Sequence, residues 1–182
     1  LGDKTNPYLI ATEADLISFR DAVHKNAASL AEKTGLPLCH LDLLYWNADK
    51  TTVERTLFLK RLEKVLAEEK WIIDGNFAST MEMRLAACDT VFFLDYSLEV
   101  CLSGIADRRG KPRPDMPWIG LEEDEVFLAY IRNYNEESRP QVLELLAKYP
   151  DNAKYKNESL CNTDVYAADC ICWIKQLLAG GN

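Results

Sequence analysis

The sequence predicts an α/β fold of three layers, in which a parallel sheet is flanked by helices. The run Thr90-Val-Phe-Phe-Leu-Asp95 is apolar without polar alternation, as expected for a parallel strand that is covered on both faces. This run and two shorter apolar runs are separated by helical patterns, and that alternation is typical of layered α/β folds. The length of 182 residues suits one domain with a sizeable core. We therefore interpret residues 1–182 as a single domain.

The first part of the chain reads as helix, strand, helix, strand. Residues 21–34 contain good helix formers, and Gly35 is a helix stop signal. The apolar run 36–41 then predicts a buried strand. Residues 52–69 carry leucines and a valine at mostly helical spacing with charges between them, which predicts an amphipathic helix. Residues 71–75 return to a short β-type run closed by a turn.

Helical patterns dominate the rest of the chain. Further helices are predicted at 80–88, 98–106, 122–134, 139–148 and 167–178. Prolines at positions 112, 114 and 117 exclude a regular helix from the segment that contains them, so residues 107–118 are interpreted as a basic, lid-like loop. Residues 152–164 lack the apolar run expected of a last core strand.

Composition narrows the classes of function. Hydrophobic residues make up 48% and charged residues 27%, which is ordinary globular usage. No apolar run approaches the roughly 20 residues needed to span a bilayer, and the first residues lack a basic region followed by an apolar stretch. These features predict a cytoplasmic protein without a membrane partner. The net charge of -8 argues against a broad nucleic-acid surface.

The six cysteines do not form a metal-site pattern. The chain has no C-x-x-C pair, and its two histidines have no ligand-like spacing to the cysteines. Several cysteines lie within apolar stretches, where a reduced thiol behaves as a small hydrophobe. We therefore expect buried, reduced thiols and no metal site built from them.

Three carboxylates follow the predicted strands, namely Asp42, Asp74 and Asp95. In open parallel sheets, ligands bind outside the carboxyl ends of the strands, so these groups are placed to meet a substrate or Mg²⁺. Each could instead begin a turn or cap a helix. Trp46, next to Tyr45, could stack on an aromatic ligand or could simply pack.

Basic side chains are concentrated in one segment, which contains Arg108, Arg109, Lys111 and Arg113. Arginine forks on a loop suit a phosphate group, because phosphoryl transfer needs charge neutralisation on the phosphate oxygens. The alternative is a solvated loop. Further candidates for ligand contacts are Arg84, Arg132 and Arg139, each of which could equally be a surface ion-pair partner.

An ordered series of strings carries a family resemblance. The series comprises Leu30-Ala-Glu-Lys-Thr-Gly-Leu-Pro-Leu38, His40-Leu-Asp42, Tyr45-Trp46, Trp71-Ile-Ile-Asp-Gly-Asn76, Thr90 to Asp95, Arg109-Gly-Lys-Pro-Arg-Pro-Asp-Met-Pro-Trp118, Asn133-Tyr-Asn and Ser138-Arg-Pro140. It resembles the bacterial topology modulation (FlaR-like) family, which is similar to adenylate kinase and shikimate kinase within the P-loop kinases. The likeness runs from Ser29 to Pro150, about two thirds of the chain.

The resemblance implies a nucleotide-binding kinase fold that transfers phosphate from ATP, with Mg²⁺, to a small acceptor. By this resemblance Asp42 lies near the acceptor, and Asp74, Gly75 and Asn76 line the acceptor site. The lid arginines implied are Arg108, Arg109 and Arg113. The family's name refers to DNA topology, which leaves direct DNA binding as an alternative function.

The phosphate-binding motif of such kinases is missing from the sequence. The motif G-x-x-x-x-G-K-[ST] supplies backbone N–H groups, a lysine and a hydroxyl to the phosphates and Mg²⁺. Between Gly2 and Gly35 the chain has no glycine, and Lys25 is the candidate cofactor-binding cation at the corresponding place. Loss of ATP binding, a changed N-terminal sequence and a different phosphate site remain open explanations. We expect residues 8–28 not to form a standard phosphate loop, and a catalytically degenerate binding or regulatory module is the alternative to a kinase.

Overall fold

The computed structural model describes residues 27–122, 124–149 and 171–175. Its helices are α1 (Ala27–Thr34), α2 (Leu41–Tyr45), α3 (Arg55–Ala67), α4 (Met81–Ala87), α5 (Leu98–Arg108), α6 (Glu125–Glu137) and α7 (Arg139–Lys148). Its strands are β1 (Leu38–His40), β2 (Trp71–Asp74), β3 (Thr90–Phe93) and β4 (Ile171–Lys175), and a 3₁₀ turn spans Ala78–Thr80. The fold is therefore α/β, as the sequence predicts.

The four strands form one mixed sheet in the order β1-β2-β4-β3. Strand β1 runs parallel to β2, with Leu38 opposite Ile72. Strand β4 lies between β2 and β3 and is antiparallel to both. It follows that β1, β2 and β3 point the same way. The prediction of a parallel sheet thus holds for three strands and is wrong for the fourth.

The prediction of a helix at 167–178 is wrong for residues 171–175, which form β4. A short apolar run does not distinguish a buried strand from a buried helix by its spacing alone. Here the two flanking strands supply a backbone hydrogen-bond ladder on each side, with Ile174 opposite both Ile72 and Thr90. The tertiary partners therefore decide the conformation of this segment.

Side chains alternate between the two faces of the sheet, and helices cover both. Trp71, Ile73, Val91 and Phe93 pack in one cluster with residues of α3, α4 and α7. Ile72, Phe92 and Ile174 pack on the opposite face against α1. Burial on both faces explains why β2 and β3 read as continuous apolar runs, whereas the outer strand β1 is only half-buried.

Carbonyl groups at the ends of two helices accept hydrogen bonds from residues outside the helix. Gly35 follows α1 at φ 70°, and its N–H donates to the Ala31 carbonyl at 2.7 Å. Glycine adopts this left-handed conformation without a steric cost. The Lys175 ammonium, at the end of β4, donates to the carbonyls of Leu66 and Glu68 at the end of α3. This contact places a cation at the negative end of the helix dipole.

Cys39, Cys88 and Cys101 are not joined in disulfide bonds. Cys88 and Cys101 are buried, as predicted, and Cys39 is half-buried. Burial raises the pKa of Cys88 to about 12 and that of Cys39 to about 11, so both are protonated at neutral pH. Within the described ranges, no helix combines the length and apolar character that crossing a bilayer requires.

Candidate functional site

The three predicted carboxylates lie at one edge of the sheet, because β1, β2 and β3 end on the same side. Asp42 is in the first turn of α2, directly after β1. Asp74 is the last residue of β2, and Asp95 follows β3 by two residues. Asp42 lines a cavity outside this edge, whereas Asp74 and Asp95 lie beside it. The prediction of their common location is confirmed.

Asp42 lies in a crowded electrostatic environment. Burial raises its pKa to about 6, and the charges of Asp115 and Asp74 act in the same direction. Arg113 and a hydrogen bond from the Trp46 side chain oppose the shift. At neutral pH the group is therefore mostly ionised yet more basic than an ordinary carboxylate, which suits it to accept a proton.

Two hydrogen-bonded side-chain pairs flank Asp42. On the sheet side, Asp74 Oδ2 is 2.9 Å from Nδ1 of His40, and both side chains are largely buried. Burial raises the pKa of Asp74, although His40 works against this. On the loop side, Arg113 donates to both oxygens of Asp115. Burial pushes the pKa of Asp115 upward, but Arg113 holds it below the ordinary value.

The cavity outside the sheet edge has a volume of about 790 Å³ and strongly aromatic walls. The aromatic residues of its lining are Tyr45, Trp46, Phe77, Tyr96, Trp118, Phe127, Tyr130 and Tyr134. Trp46 and Trp118 meet edge to face with their ring centroids 5.2 Å apart. Tyr45 makes similar contacts with Trp46 and Phe77. Such a wall can stack on a planar ring.

Basic side chains of the same cavity come mainly from the α5–α6 connection. The cationic lining residues are Lys50, Arg108, Arg109, Lys111 and Arg113. Arg108 is the last residue of α5 and is buried, whereas Arg109 is exposed, so the predicted basic segment begins within a helix. The acidic lining residues are Asp42, Glu122, Asp124 and Glu125. Five cations against four carboxylates give the lining a formal charge of +1 in a chain whose net charge is -8.

Arg84 has a different position from the one expected of a ligand-binding arginine. Its side chain is fully buried in α4 and does not line the cavity. The guanidinium donates to the carbonyls of Gly75, Asn76 and Phe77, which follow β2, at 2.7–2.8 Å, and Nε donates to the Thr80 carbonyl. Burial lowers its pKa to about 9, so the group remains cationic at neutral pH. Arg84 therefore fixes the backbone of the loop that carries Asn76.

Gly75 and Asn76, which were predicted to line the acceptor site together with Asp74, differ in their position relative to the cavity. Asn76 lines the cavity, whereas Gly75 lies behind it against Leu41. The predicted acceptor-site string 74–76 therefore contributes one side chain to the lining and two residues to the structure behind it.

The remaining predicted arginines lie in the surroundings of the cavity. Arg139 and Asp95 form a bidentate pair with an Nε–Oδ1 distance of 2.8 Å, which joins α7 to the end of β3. Arg132 is exposed on α6 beside Glu125 and is absent from the lining. Lys25 lies outside the described residues, as does most of the segment 8–28 in which no phosphate loop is expected.

Several residues of the site were not predicted as ligand contacts. Tyr130 of α6 faces the cavity and its hydroxyl accepts from Asn76 Nδ2 at 3.1 Å. Trp118, His40 and Asp115 join the site through tertiary contacts. Trp118 ends one of the strings that carry the family resemblance, which was the available signal for it. His40 and Asp115 also lie within such strings, whereas no sequence pattern indicates Tyr130.

The described residues do not form a cage for Mg²⁺. No group of three or more His, Cys, Asp or Glu side chains in the described ranges could hold a metal ion. Oxygen ligands from several carboxylates or carbonyls would be needed for such a site. Phosphate oxygens of a bound ligand would therefore have to supply part of the coordination of any Mg²⁺ held by the described residues.

Comparison of the chain with protein-family models, with curated proteins and with solved structures found no match.

Proposed function

We propose that this protein binds a phosphorylated aromatic small molecule, with a nucleotide as the best chemical match, and that its fold is kinase-like. The observation that carries the proposal is the convergence of aromatic rings and five cationic side chains on one cavity at the sheet edge. Rings stack on a base, and arginine forks neutralise phosphate oxygens. A volume of about 790 Å³ lies in the range typical of small-molecule sites.

The resemblance to the topology modulation family makes the bound molecule the acceptor of a phosphoryl group from ATP. In that reaction a free hydroxyl of the bound molecule attacks the γ-phosphorus of ATP, Asp42 accepts the proton of this hydroxyl, and the bond between the γ-phosphorus and the leaving ADP oxygen breaks as the new oxygen–phosphorus bond forms. The raised pKa of Asp42, about 6, supports this role because a general base works best when its pKa is near the working pH. Arg109 and Arg113, which line the same cavity, would stabilise charge on the transferred group.

A binding or regulatory module without phosphoryl transfer is the second candidate. The observation that favours it is the sequence itself, in which no G-x-x-x-x-G-K-[ST] motif occurs. Direct DNA binding is disfavoured because the basic side chains line a concave cavity in a chain of net charge -8.

Calorimetric titration with the four common ribonucleoside 5′-monophosphates and the matching nucleosides tests the binding proposal. We expect at least one monophosphate to bind with a micromolar dissociation constant. Its nucleoside should bind at least about tenfold more weakly, since the phosphate contacts are then lost. The double variant Arg109→Ala, Arg113→Ala should remove this preference for phosphate. Arg132→Ala is the matched control, because Arg132 is exposed and does not line the cavity. Absence of binding at millimolar concentration of every ligand would overturn the proposal.

An assay of ADP release distinguishes the two candidates. A kinase should release ADP from magnesium-ATP faster when the bound monophosphate is present, and Asp42→Asn should slow this release by about 100-fold, the low end of general-base effects. Monophosphate binding without ADP release would instead support the binding module. Affinity for duplex DNA that falls steeply with salt, together with loss of that affinity in the Arg109→Ala, Arg113→Ala variant, would support the DNA alternative.

A further inference from the structure

The loop after β2 is held in an unusual backbone conformation by a buried cation. Gly75 lies at φ 126° and Phe77 at φ 21°, regions that side chains other than glycine rarely adopt. The guanidinium of Arg84 binds the carbonyls of Gly75, Asn76 and Phe77 from behind. Such strain persists only where surrounding contacts enforce it, and it occurs most often at functional sites. The loop therefore presents Asn76 from a fixed position.

The side chain of Asn76 has an unmet hydrogen-bonding capacity. Its Nδ2 donates to the Tyr130 hydroxyl at 3.1 Å, which links the loop to α6. Its Oδ1 is buried and has no hydrogen-bond partner among the described residues. A buried acceptor without a donor is unfavourable and calls for an explanation, such as a ligand. Because Asn76 lines the cavity, a donor on a bound molecule is the partner available from that side.

We propose that Asn76 is a specificity-determining residue that accepts a hydrogen bond from an N–H group attached to the ligand's aromatic ring. The ligand class is then an amino-bearing heteroaromatic ring, such as an aminopurine or aminopyrimidine, that carries a phosphate. This inference rests on the proposed function and adds the chemistry of the ring to it. An amide side chain suits this task because it offers an acceptor and a donor in one plane.

The residues around Asn76 should make it discriminate strongly between rings with and without the N–H donor. Arg84 restrains the loop backbone through three carbonyls, so Asn76 cannot move far to adapt to a different ring. Tyr130 stacks with Phe127 and meets Tyr134 edge to face, which restrains the hydroxyl that binds Asn76. A preorganised polar group discriminates strongly, because a ligand without the matching donor leaves it unsatisfied.

The test compares adenosine 5′-monophosphate with purine riboside 5′-monophosphate, in which hydrogen replaces the exocyclic amino group. By calorimetry the wild-type chain should bind the amino-bearing ligand about tenfold more tightly or better. Asn76→Ala should bring the two dissociation constants within about twofold, while the phosphate contacts keep both ligands bound. Tyr130→Phe, which keeps the ring and frees the amide, should reduce the ratio by a smaller factor. Asn133→Ala is the matched control, because Asn133 is exposed on α6, donates to Glu137 and does not line the cavity, so its ratio should equal that of the wild type.

Each outcome bears on the proposal. Equal affinity of the wild type for the two ligands would overturn the inference and leave the proposed function intact. A ratio that survives in Asn76→Ala would also overturn it. If neither ligand binds, the proposed function fails and the inference fails with it. Should Asn76→Ala not fold, the wild-type ratio and the Tyr130→Phe ratio still decide the matter.

Discussion

The two loops that form the cavity are built in opposite ways. The loop after β2, residues 75–77, is held by the buried guanidinium of Arg84 and packs on Leu41. The longer connection from Arg109 to Asp124 is closed at its base by one backbone bond, from Gly110 N to Gly120 O at 2.8 Å. Within that connection, Arg113 is bound by its near neighbour Asp115, and Leu121 remains 72% exposed.

This difference separates two tasks of a binding site. The β2 loop can define which ring fits, because its atoms are fixed before the ligand arrives. The basic connection carries Arg109 and Lys111 at exposed positions, where these long side chains can adapt to a phosphate group. Changes that loosen the β2 loop should therefore cost stability, whereas changes in the basic connection should cost little.

The largest expected effect is that of Arg84→Met. The methionine fills much of the space but leaves three loop carbonyls without the donors that Arg84 supplies. We expect a loss of about 3–5 kcal/mol in the free energy of unfolding, measured by urea titration. Arg132→Met, at an exposed position on α6, should change stability by less than about 0.5 kcal/mol. Equal losses for the two variants would contradict the role of Arg84.

A pair of glycines tests the same contrast at the level of the backbone. Gly75, at φ 126°, would bring an added Cβ to 3.0 Å from Leu41 Cβ, so Gly75→Ala should cost about 2–4 kcal/mol through strain and crowding. Gly110, at φ 73°, has no atom within 4 Å of the same added group, so Gly110→Ala should cost about 1 kcal/mol. Chemical denaturation measures both values, and a Gly110→Ala loss as large as that of Gly75→Ala would refute the contrast.

The smallest of the three effects concerns Asp42, which lies where the two loops meet. The pKa of Asp42 in the folded chain is about 6, against an ordinary value of 3.8. Between these two pH values the folded chain therefore binds more protons than the unfolded chain. The free energy of unfolding consequently falls as the pH rises through this window. An asparagine at this position would carry no such charge. Asp42→Asn should therefore raise the free energy of unfolding by about 1–3 kcal/mol above pH 6 and leave it unchanged below pH 4.

Urea titrations at pH 4 and pH 7.5 measure this difference directly. Lower stability of Asp42→Asn at both pH values would mean that the carboxylate supports the fold instead of straining it. If Asp42→Asn is more stable at neutral pH but has lost ligand binding or turnover, the carboxylate serves function at a cost in stability.

Strands β2 and β3 could be predicted from the sequence, because burial on both faces leaves an unbroken apolar run. Strand β1 was predicted as a buried strand, but Leu38, Cys39 and His40 are only half-buried because β1 is at the end of the strand order. The location of Asp42, Asp74 and Asp95 at one edge then followed from the parallel direction of those strands. Strand β4 could not be predicted, since Ile171-Cys-Trp-Ile-Lys175 fits a strand or a helix until its neighbours are known.

The chemistry of the site was less accessible to sequence reasoning. An arginine on an amphipathic helix such as α4 carries no local sign that it will be buried, so Arg84 was expected to contact a ligand. Tyr130 is 54 residues from Asn76 in sequence, and their hydrogen bond depends on how α6 packs. Long-range pairs of this kind arise from tertiary structure alone.

The central position of β4 has a consequence for the order in which the molecule can be assembled on the ribosome. Strands β2 and β3 lie on either side of β4 and do not pair with each other. The backbone hydrogen bonds that connect them through β4 can therefore form only after residues 171–175 have been synthesised. Until then the nascent chain carries apolar strands with open edges, which are liable to pair with other chains. Among the described strands, the one synthesised last therefore completes the sheet, and it covers the edges of β2 and β3 that face each other.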